Sequence, residues 1–272
     1  MKRLKDSVAV VTGAGSGIGR ALALELASQG CHLALSDIND VNLGKTRELC
    51  KRYGTKVSVY DLDVSDRAAV FQHAEEVASD FGHVNLIINN AGVTLSAKDQ
   101  ETDIEDFEWL MGINFWGVVY GSQAFLPMLI KSGDGHIINI SSIFGLITVP
   151  KQAAYSSAKF AVRGYTESLR QELVLDEHPV QVSCVHPGFI ATDIARNGRL
   201  GHSEDAESTI LSFDKATRTS PEKAARTIVR GIQRNKSRIL IGPDAYAVEV
   251  LHRLLGAQYQ KITQFIARKL MY

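Results

Sequence analysis

Short apolar runs alternate with longer amphipathic segments along most of this 272-residue chain. The runs at 7–11, 32–36, 56–60 and 86–89 predict strands, and each is followed by a segment of different periodicity. Segments 17–28, 41–52 and 67–81 carry apolar residues at helical spacing. Strand and helix in strict alternation predict right-handed crossovers and a parallel sheet covered on both faces. We therefore expect a doubly wound α/β fold with ligands at the carboxyl ends of the strands.

The second half of the chain continues this pattern and then departs from it. Strands are predicted at 136–141, 181–185 and 238–241, with helices at about 104–130, 153–175 and 221–235. Residues 189–220 show no confident long element, which is typical of a lid or binding loop. We find no linker or repeat and predict a single domain, 1–272, with a substrate lid at about 189–220 and a C-terminal helical extension at about 245–272.

Composition excludes several classes of function. Lys and Arg total 30 and so do Asp and Glu, and no basic stripe is interleaved with aromatics, so we expect no nucleic-acid partner. The three cysteines are too scattered for a disulfide framework or a metal cluster, and Asp61 and Asp63 lack further ligands, so no metal is expected. The N-terminus lacks the features of a signal peptide, and no run approaches the ~20 apolar residues of a membrane span. We expect a cytoplasmic protein.

Tyr155 and Lys159 form the first candidate catalytic pair. In a helix starting near Ala153 they stand at i and i+4 on one face. A nearby cation favours the phenolate and lowers the pKa of a phenol from ~10, so Tyr155 becomes a candidate general acid/base. Ser142, at the end of the apolar run 136–141, can reach the oxygen of a bound carbonyl or alcohol. The alternative is that Tyr and Lys at this spacing are common on any helix face.

A glycine-rich loop lies between the first strand and the first helix. It reads Thr-Gly-Ala-Gly-Ser-Gly-Ile-Gly over residues 12–19 and fits the spacing Gly13-x-x-x-Gly17-x-Gly19. Glycines allow a tight turn and a close approach to a pyrophosphate, whose charge meets the amides of the following helix. The loop stands after a strand and before a helix, which is the context that such a site requires.

Together these motifs make the chain resemble the classical short-chain dehydrogenase/reductase (SDR) family, from Leu4 to about Gly242. The matching motifs are the glycine loop, Asn89-Asn90-Ala91-Gly92, Asn114, Ser142, Tyr155-x-x-x-Lys159 and Pro187-Gly188. The resemblance implies a Rossmann fold with a seven-stranded parallel sheet in the order 3-2-1-4-5-6-7. It also implies an oxidoreductase that uses a nicotinamide cofactor and forms a homodimer or homotetramer.

The family's catalytic roles transfer to four residues. Tyr155 would exchange a proton with the substrate oxygen, and Ser142 would orient that oxygen. Lys159 would lower the pKa of the phenol and bind the nicotinamide ribose. Asn114 would hold a water that links Lys159 to solvent. The apolar neighbours of Asn114 favour a buried, kinked position over a solvated one.

Asp37 favours NAD over NADP as the cofactor. It lies about twenty residues past the glycine loop, where a carboxylate binds both ribose hydroxyls and repels a 2′-phosphate. Arg20 is expected to face solvent or a neighbouring helix, and His186 to pack at a strand end. The resemblance gives the full set of cofactor-binding residues as Gly13, Ser16, Gly17, Ile18, Gly19, Asp37, Ile38, Asp63, Val64, Asn90, Ala91, Gly92, Tyr155, Lys159, Pro187, Gly188, Ile190 and Thr192.

The expected substrate is a lipophilic secondary alcohol or ketone, such as a steroid, terpenoid, retinoid or fatty chain. Phe144 and Phe189 would form an apolar wall and bind it together with Ser142 and Tyr155. A catalytically silent NAD(H)-sensing protein is the alternative from another class, and a dehydratase or epimerase is the alternative within enzymes. The apolar and basic residues after Ala245 fit three roles: a subunit interface, a cap over the site, or a membrane-surface helix. We expect the subunit interface, and membrane contact is the less favoured role.

Overall fold

The structure is a computed structural model that describes residues 4–270, with side chains to residue 268. Seven parallel strands form one sheet: β1 (Val8–Thr12), β2 (His32–Asp37), β3 (Val57–Asp61), β4 (Leu86–Asn89), β6 (Gly135–Ile140), β7 (Val180–Pro187) and β9 (Arg238–Ile241). Two short strands, β5 (Leu95–Ser96) and β8 (Arg199–Leu200), pair separately. The sheet order is 3-2-1-4-6-7-9, which equals the predicted 3-2-1-4-5-6-7 once the two short strands are left uncounted. The predicted Rossmann fold is confirmed.

Ten α-helices are found in the part of the chain that the structure describes. They are α1 (Gly17–Ser28), α2 (Asp40–Lys51), α3 (Arg67–Phe81), α4 (Ile104–Met111), α5 (Gly117–Ser132), α6 (Ala153–Leu175), α7 (Ala206–Ala216), α8 (Pro221–Gln233), α9 (Pro243–Leu255) and α10 (Tyr259–Leu270). One face of the sheet buries α1, α2 and α8, and the other buries α3, α5 and α6.

The central strands are apolar on both faces because both faces are covered. In β1, Ala9 and Val11 belong to one core cluster, whereas Val8 and Val10 belong to the other. This explains the continuous apolar runs in the sequence. From β1 the chain adds β2 and β3 on one side of the sheet, and it then adds β4 and the later strands on the other side. The loops that follow β1 and β4 therefore meet at the carboxyl ends of these two strands.

Two regions differ from what the pattern predicts. The single helix predicted at 104–130 is divided by a π-helical turn, Gly112–Trp116. The region predicted to be irregular, 189–220, contains α7, which is capped by Asp205 through its bond to the Ser208 amide. No residue of α7 is fully buried, so this helix lies on the surface of the protein.

The C-terminal extension forms α9 and α10, joined by a turn at Gly256–Gln258. Residues 271–272 and the side chains of 269–270 lie outside the described part. Among the described residues, one continuous helical segment, Ile104–Ser132, is long and apolar enough by composition to cross a membrane. Of its most apolar stretch of 18 residues, 44% is buried inside the protein. The segment packs on α3 and α6, as core helices do.

Candidate active site

The glycine loop at the end of β1 leaves no room for side chains at two positions. Gly13 has a φ of 64°, and a Cβ there would lie 2.8 Å from the Ala91 Cα atom. A Cβ on Gly19 would lie 2.0 Å from the Gly13 carbonyl oxygen. Glycine is therefore required for the loop to pack against the segment that follows β4.

The N-terminus of α1 is open to an anion. Its N-cap residue, Ser16, makes no side-chain hydrogen bond to the helix. The first turn, which lies wholly within the described residues, contains no acidic residue. The first amides and the positive end of the helix dipole are thus available to a phosphate. Ser16, Gly17 and Ile18 all lie at this end, as the sequence predicts.

Thr12 and Asn90 hold the loop in this shape. The Thr12 hydroxyl accepts hydrogen bonds from the Asn90 and Ala91 amides at 3.0 and 3.1 Å. The Asn90 side chain donates to the carbonyls of Thr12 and Gly13 at 2.9 and 3.2 Å. Thr12 is a supporting residue that sequence reasoning did not assign, although it opens the glycine motif.

Asp37 lies at the end of β2 beside the glycine loop, as predicted. Its Oδ2 accepts the Gly15 amide at 2.7 Å and its Oδ1 accepts the Asn39 amide at 2.9 Å. The carboxylate is therefore fixed at the rim of the cradle. Arg20 packs against α2, as one of the two expectations had it, and donates from Nε to the Thr46 hydroxyl at 3.0 Å.

The remaining predicted cofactor residues fall into two groups. Ile190 and Thr192 follow β7 and fold over the loop, where Thr192 Cγ2 lies 3.1 Å from the position of a Cβ on Gly17. Ile38 is 72% exposed at the rim. Asp63 is also exposed, and its Oδ1 accepts the amide and hydroxyl of Ser65 at 2.8 and 2.7 Å, whereas Val64 is buried beside it.

Pro187 and Gly188 form a turn that is held by Asp244, the second residue of α9. Asp244 Oδ2 accepts the Phe189 amide at 2.7 Å, and a Cβ on Gly188 would lie 2.0 Å from that carboxylate. Nothing in the sequence motifs pointed to Asp244, because it lies 55 residues from its partner. The C-terminal extension therefore supports this turn.

Asn114 is fully buried in the π-helical turn. Its amide pairs with the backbone of Val93, accepting from the nitrogen and donating to the oxygen, both at 2.8 Å. π-Helical turns disturb the regular hydrogen-bond register and are frequent at functional sites. The predicted buried, kinked position of Asn114 agrees with this geometry.

Lys159 and Asn114 converge on Gly92. A Cβ at Gly92 would lie 3.1 Å from Asn114 Oδ1 and 3.6 Å from Lys159 Nζ. Lys159 is 4% exposed and donates to the Ile140 carbonyl at 3.1 Å. Burial lowers the pKa of its ammonium to about 8.

Tyr155 lies beside Lys159 and Ser142. The Lys159 Nζ is 5.6 Å from the centroid of the Tyr155 ring. Burial raises the pKa of Tyr155 to about 12, and its hydrogen bond with Ser142 opposes that rise. The expected lowering of this pKa by Lys159 is not seen, because desolvation dominates in the protein alone. The neutral phenol is thus the form present at neutral pH.

An aromatic row extends from Tyr155 into the segment 189–220. Phe144 packs edge-on against Tyr155 and Phe189, with ring centroids 6.2 and 6.1 Å apart. Phe213 of α7 continues the row, 6.1 Å from Phe189. The predicted wall of Phe144 and Phe189 is thus assembled beside the candidate acid/base. Phe213 was missed because no helix was predicted in the segment 189–220.

The C-terminal extension also reaches the segment between Ser142 and Tyr155. The Tyr259 hydroxyl accepts the Thr148 amide at 3.1 Å and lies 3.2 Å from the Thr148 hydroxyl. Tyr259 is only 6% exposed.

The three cysteines are buried and free, and burial raises the pKa of each thiol above its usual range.

Comparison with known proteins agrees with this fold. The model of the short chain dehydrogenase family matches residues 7–202. The chain is 49% identical over 263 residues to the protein named "Putative oxidoreductase SadH" of Mycobacterium tuberculosis, covering 96% of this chain and 95% of that protein. It is 33% identical to "Uncharacterized oxidoreductase YxnA" of Bacillus subtilis, over all of this chain and 74% of that protein.

A solved structure gives the same result. The crystal structure of a short chain dehydrogenase/reductase from Burkholderia phymatum in complex with NAD superimposes with a TM-score of 0.87 at 30% identity, covering 93% of this chain and 95% of that one. The chain belongs to the short-chain dehydrogenase/reductase family of oxidoreductases. Members of this family bind nicotinamide cofactors, and the side-chain-free cradle and uncapped helix of this protein fit such a group.

Proposed function

We propose that this protein interconverts a secondary alcohol and a ketone with NAD. The observation that carries the proposal is the convergence of Asn114 and Lys159 on Gly92, beside a phenol that hydrogen-bonds Ser142. A protein that only senses a nucleotide does not need a buried ammonium next to a phenol. The nicotinamide would supply the hydride acceptor or donor.

Each of the four side chains has a defined task in this proposal. Ser142 orients the substrate oxygen. Tyr155 gives a proton to a ketone oxygen, or removes one from an alcohol when it is ionised. Lys159 would bind the nicotinamide ribose, and its ammonium would oppose the desolvation that raises the pKa of the phenol. Asn114 completes the route by which the proton reaches solvent.

Asp37 supports the choice of NAD. Its carboxylate is held by the Gly15 and Asn39 amides at the rim of the cradle, where a 2′-phosphate would meet a like charge. The proposed adenosine contacts also include Asp63 and Val64, and the proposed nicotinamide contacts include Pro187, Gly188, Ile190 and Thr192.

The aromatic row supports a lipophilic substrate. Phe144 and Phe189, with Phe213 from the lid, present ring surface rather than hydrogen-bonding groups next to Tyr155. Steroid, terpenoid, retinoid or fatty-chain alcohols fit such a wall better than polyols or sugars. Comparable turnover of polyols, with none of lipophilic alcohols, would contradict this part of the proposal.

Tyr155→Phe is the direct test. We expect it to lower kcat by about a thousandfold, as loss of a general acid/base does, while NAD affinity stays near its original value. The measurement is the formation of reduced cofactor with NAD or NADP over alcohols of increasing size. Tyr165→Phe, on the same helix, is the control. Tight NAD binding without turnover of any alcohol would favour the sensor instead.

We also propose a homo-oligomer that uses the C-terminal helices. Tyr246, Val250 and Leu254 form an exposed row at i, i+4 and i+8 on α9, and Leu254 is 79% exposed. Analytical ultracentrifugation should show Leu254→Asp to dissociate more readily than Leu175→Asp. Leu175, at the end of α6, is 81% exposed and lies outside this row.

A further inference from the structure

His186 lies at the end of β7, next to the Pro187-Gly188 turn, and is fully buried. Its Nδ1 is 2.9 Å from the backbone oxygen of Ser142. A carbonyl can only accept, so Nδ1 carries the proton and donates. Within the described residues Nε2 has no partner. The single N–H donor of the side chain is therefore used in the hydrogen bond to the Ser142 carbonyl.

The Ser142 carbonyl is held from two directions. The Gly145 amide donates to it at 3.0 Å across a tight turn, and His186 donates from the neighbouring strand. Ser142 itself is extended, with φ −163° and ψ 169°, and its hydroxyl accepts the Phe144 amide at 3.1 Å. The two donors fix the Ser142 peptide, and the bond from the Phe144 amide ties the hydroxyl to that fixed backbone.

We propose that His186 is a positioning residue for Ser142: its Nδ1–H holds the Ser142 carbonyl so that the serine hydroxyl points at the substrate oxygen. The inference deepens the proposed function and rests on it. His186 takes no part in proton transfer in this proposal, because its one donor is engaged by the Ser142 backbone oxygen and the side chain is fully buried. Burial lowers the pKa of His186 to about 4, so the imidazole is neutral at neutral pH.

His136 provides a matched control. It is also fully buried on a central strand, β6, and its Nε2 lies 2.8 Å from the Ser183 hydroxyl. Burial lowers the pKa of His136 to about 3. Its hydrogen-bond partner is a strand residue away from the catalytic group. The two histidines are thus both buried and neutral, and they differ in their hydrogen-bond partners.

The experiment compares His186→Leu, His186→Asn and His136→Leu. Leu removes the donor, whereas the side-chain amide of Asn reaches the same distance from the backbone as Nδ1. We expect His186→Leu to lower kcat by about tenfold to a hundredfold, as misplacement of a catalytic group does, with NAD affinity retained. His186→Asn should recover most of that loss. His136→Leu should lower thermal stability but keep kcat per folded molecule.

Equal kcat losses in the two Leu variants, or no recovery by Asn, would overturn the proposal. If His186→Leu does not fold, His186→Met replaces it as the variant without a donor, and the same ranking against Asn applies. Crystal structures of the wild type and the donor-free variant give a readout that needs no turnover. A rotated Ser142 peptide supports the proposal and an unmoved one refutes it, even if the wild type oxidises no alcohol and the proposed function itself fails.

Discussion

The half of the molecule built from β1 to β4 and the region after Pro187 are held in shape in different ways. The first half shapes its cradle with backbone, through glycines that cannot carry a Cβ and amides fixed by Thr12 and Asn90. The second is held in place by side chains, such as the Lys151–Glu204 ion pair at 2.8 Å and Arg199 stacked 3.8 Å above Trp109. Backbone groups can bind a cofactor that all members of a family share. Recognition of a particular substrate requires side chains, which can differ from one member to another.

The largest effect that would sharpen this contrast is expected at Gly19. Gly19→Ala places a methyl group 2.0 Å from the Gly13 carbonyl oxygen, so the loop must open. We expect NAD affinity to fall by about a hundredfold or more, while the circular dichroism spectrum is kept, because the loop and not the sheet is displaced. Isothermal titration calorimetry with NAD measures this directly.

Gly44→Ala is the control for the same chemical change. Gly44 is in the interior of α2, and nothing lies within 4 Å of a Cβ placed there. Alanine is favoured over glycine inside a helix by about 1 kcal/mol, so this variant should bind NAD normally and be more stable. Retention of NAD affinity in Gly19→Ala would show that the cradle is less rigid than its contacts indicate.

The same contrast explains what the sequence could predict. Glycine spacing and apolar runs act through local backbone geometry, so the sheet, the boundaries of α1, α3 and α6, and the grouping of Tyr155 with Lys159 were predictable. Asp244 and Tyr259 act across 55 and 111 residues of chain, and no local pattern encodes such contacts. The pKa of Tyr155 was predicted in the wrong direction for the protein alone, because desolvation depends on packing that spacing does not describe.

On the substrate side, the next largest effect is expected at Phe213. Phe213→Ala removes the last ring of the aromatic row, and we expect KM for a lipophilic alcohol to rise by about tenfold, since a truncated apolar contact is worth about 1–3 kcal/mol. NAD affinity should not change. Steady-state kinetics at saturating NAD measures the effect.

Leu211→Ala is the control on the same helix, because Leu211 is 49% exposed and has no part in the row. If both variants raise KM equally, α7 contributes through its fold rather than through Phe213. If KM for small alcohols rises as much as KM for large ones, the row does not select by lipophilicity.

The smallest effect concerns acid stability of the cofactor half. His73 on α3 is 3% exposed, packs edge-on against Tyr60 and Phe125, and has no hydrogen-bond partner on either nitrogen among the described residues. Burial lowers the pKa of His73 to about 4, below the value of about 6.5 in an unfolded chain. The unfolded state therefore binds the proton first as pH falls, so the stability that neutral His73 contributes is present above pH ~6.5 and lost towards pH ~4.

His73→Leu should reduce this pH dependence. Each such histidine contributes at most about 1.4 kcal/mol per pH unit to the slope of the unfolding free energy, and His136 and His186 keep their share in the variant. Urea unfolding at intervals between pH 7 and pH 4 should therefore give a shallower slope for His73→Leu than for the wild type. A slope identical to that of the wild type would mean that His73 binds its proton at the same pH in the native and the unfolded protein. Water would then have to reach the α3 interface, and the cofactor half would be less tightly packed than the contacts of His73 indicate.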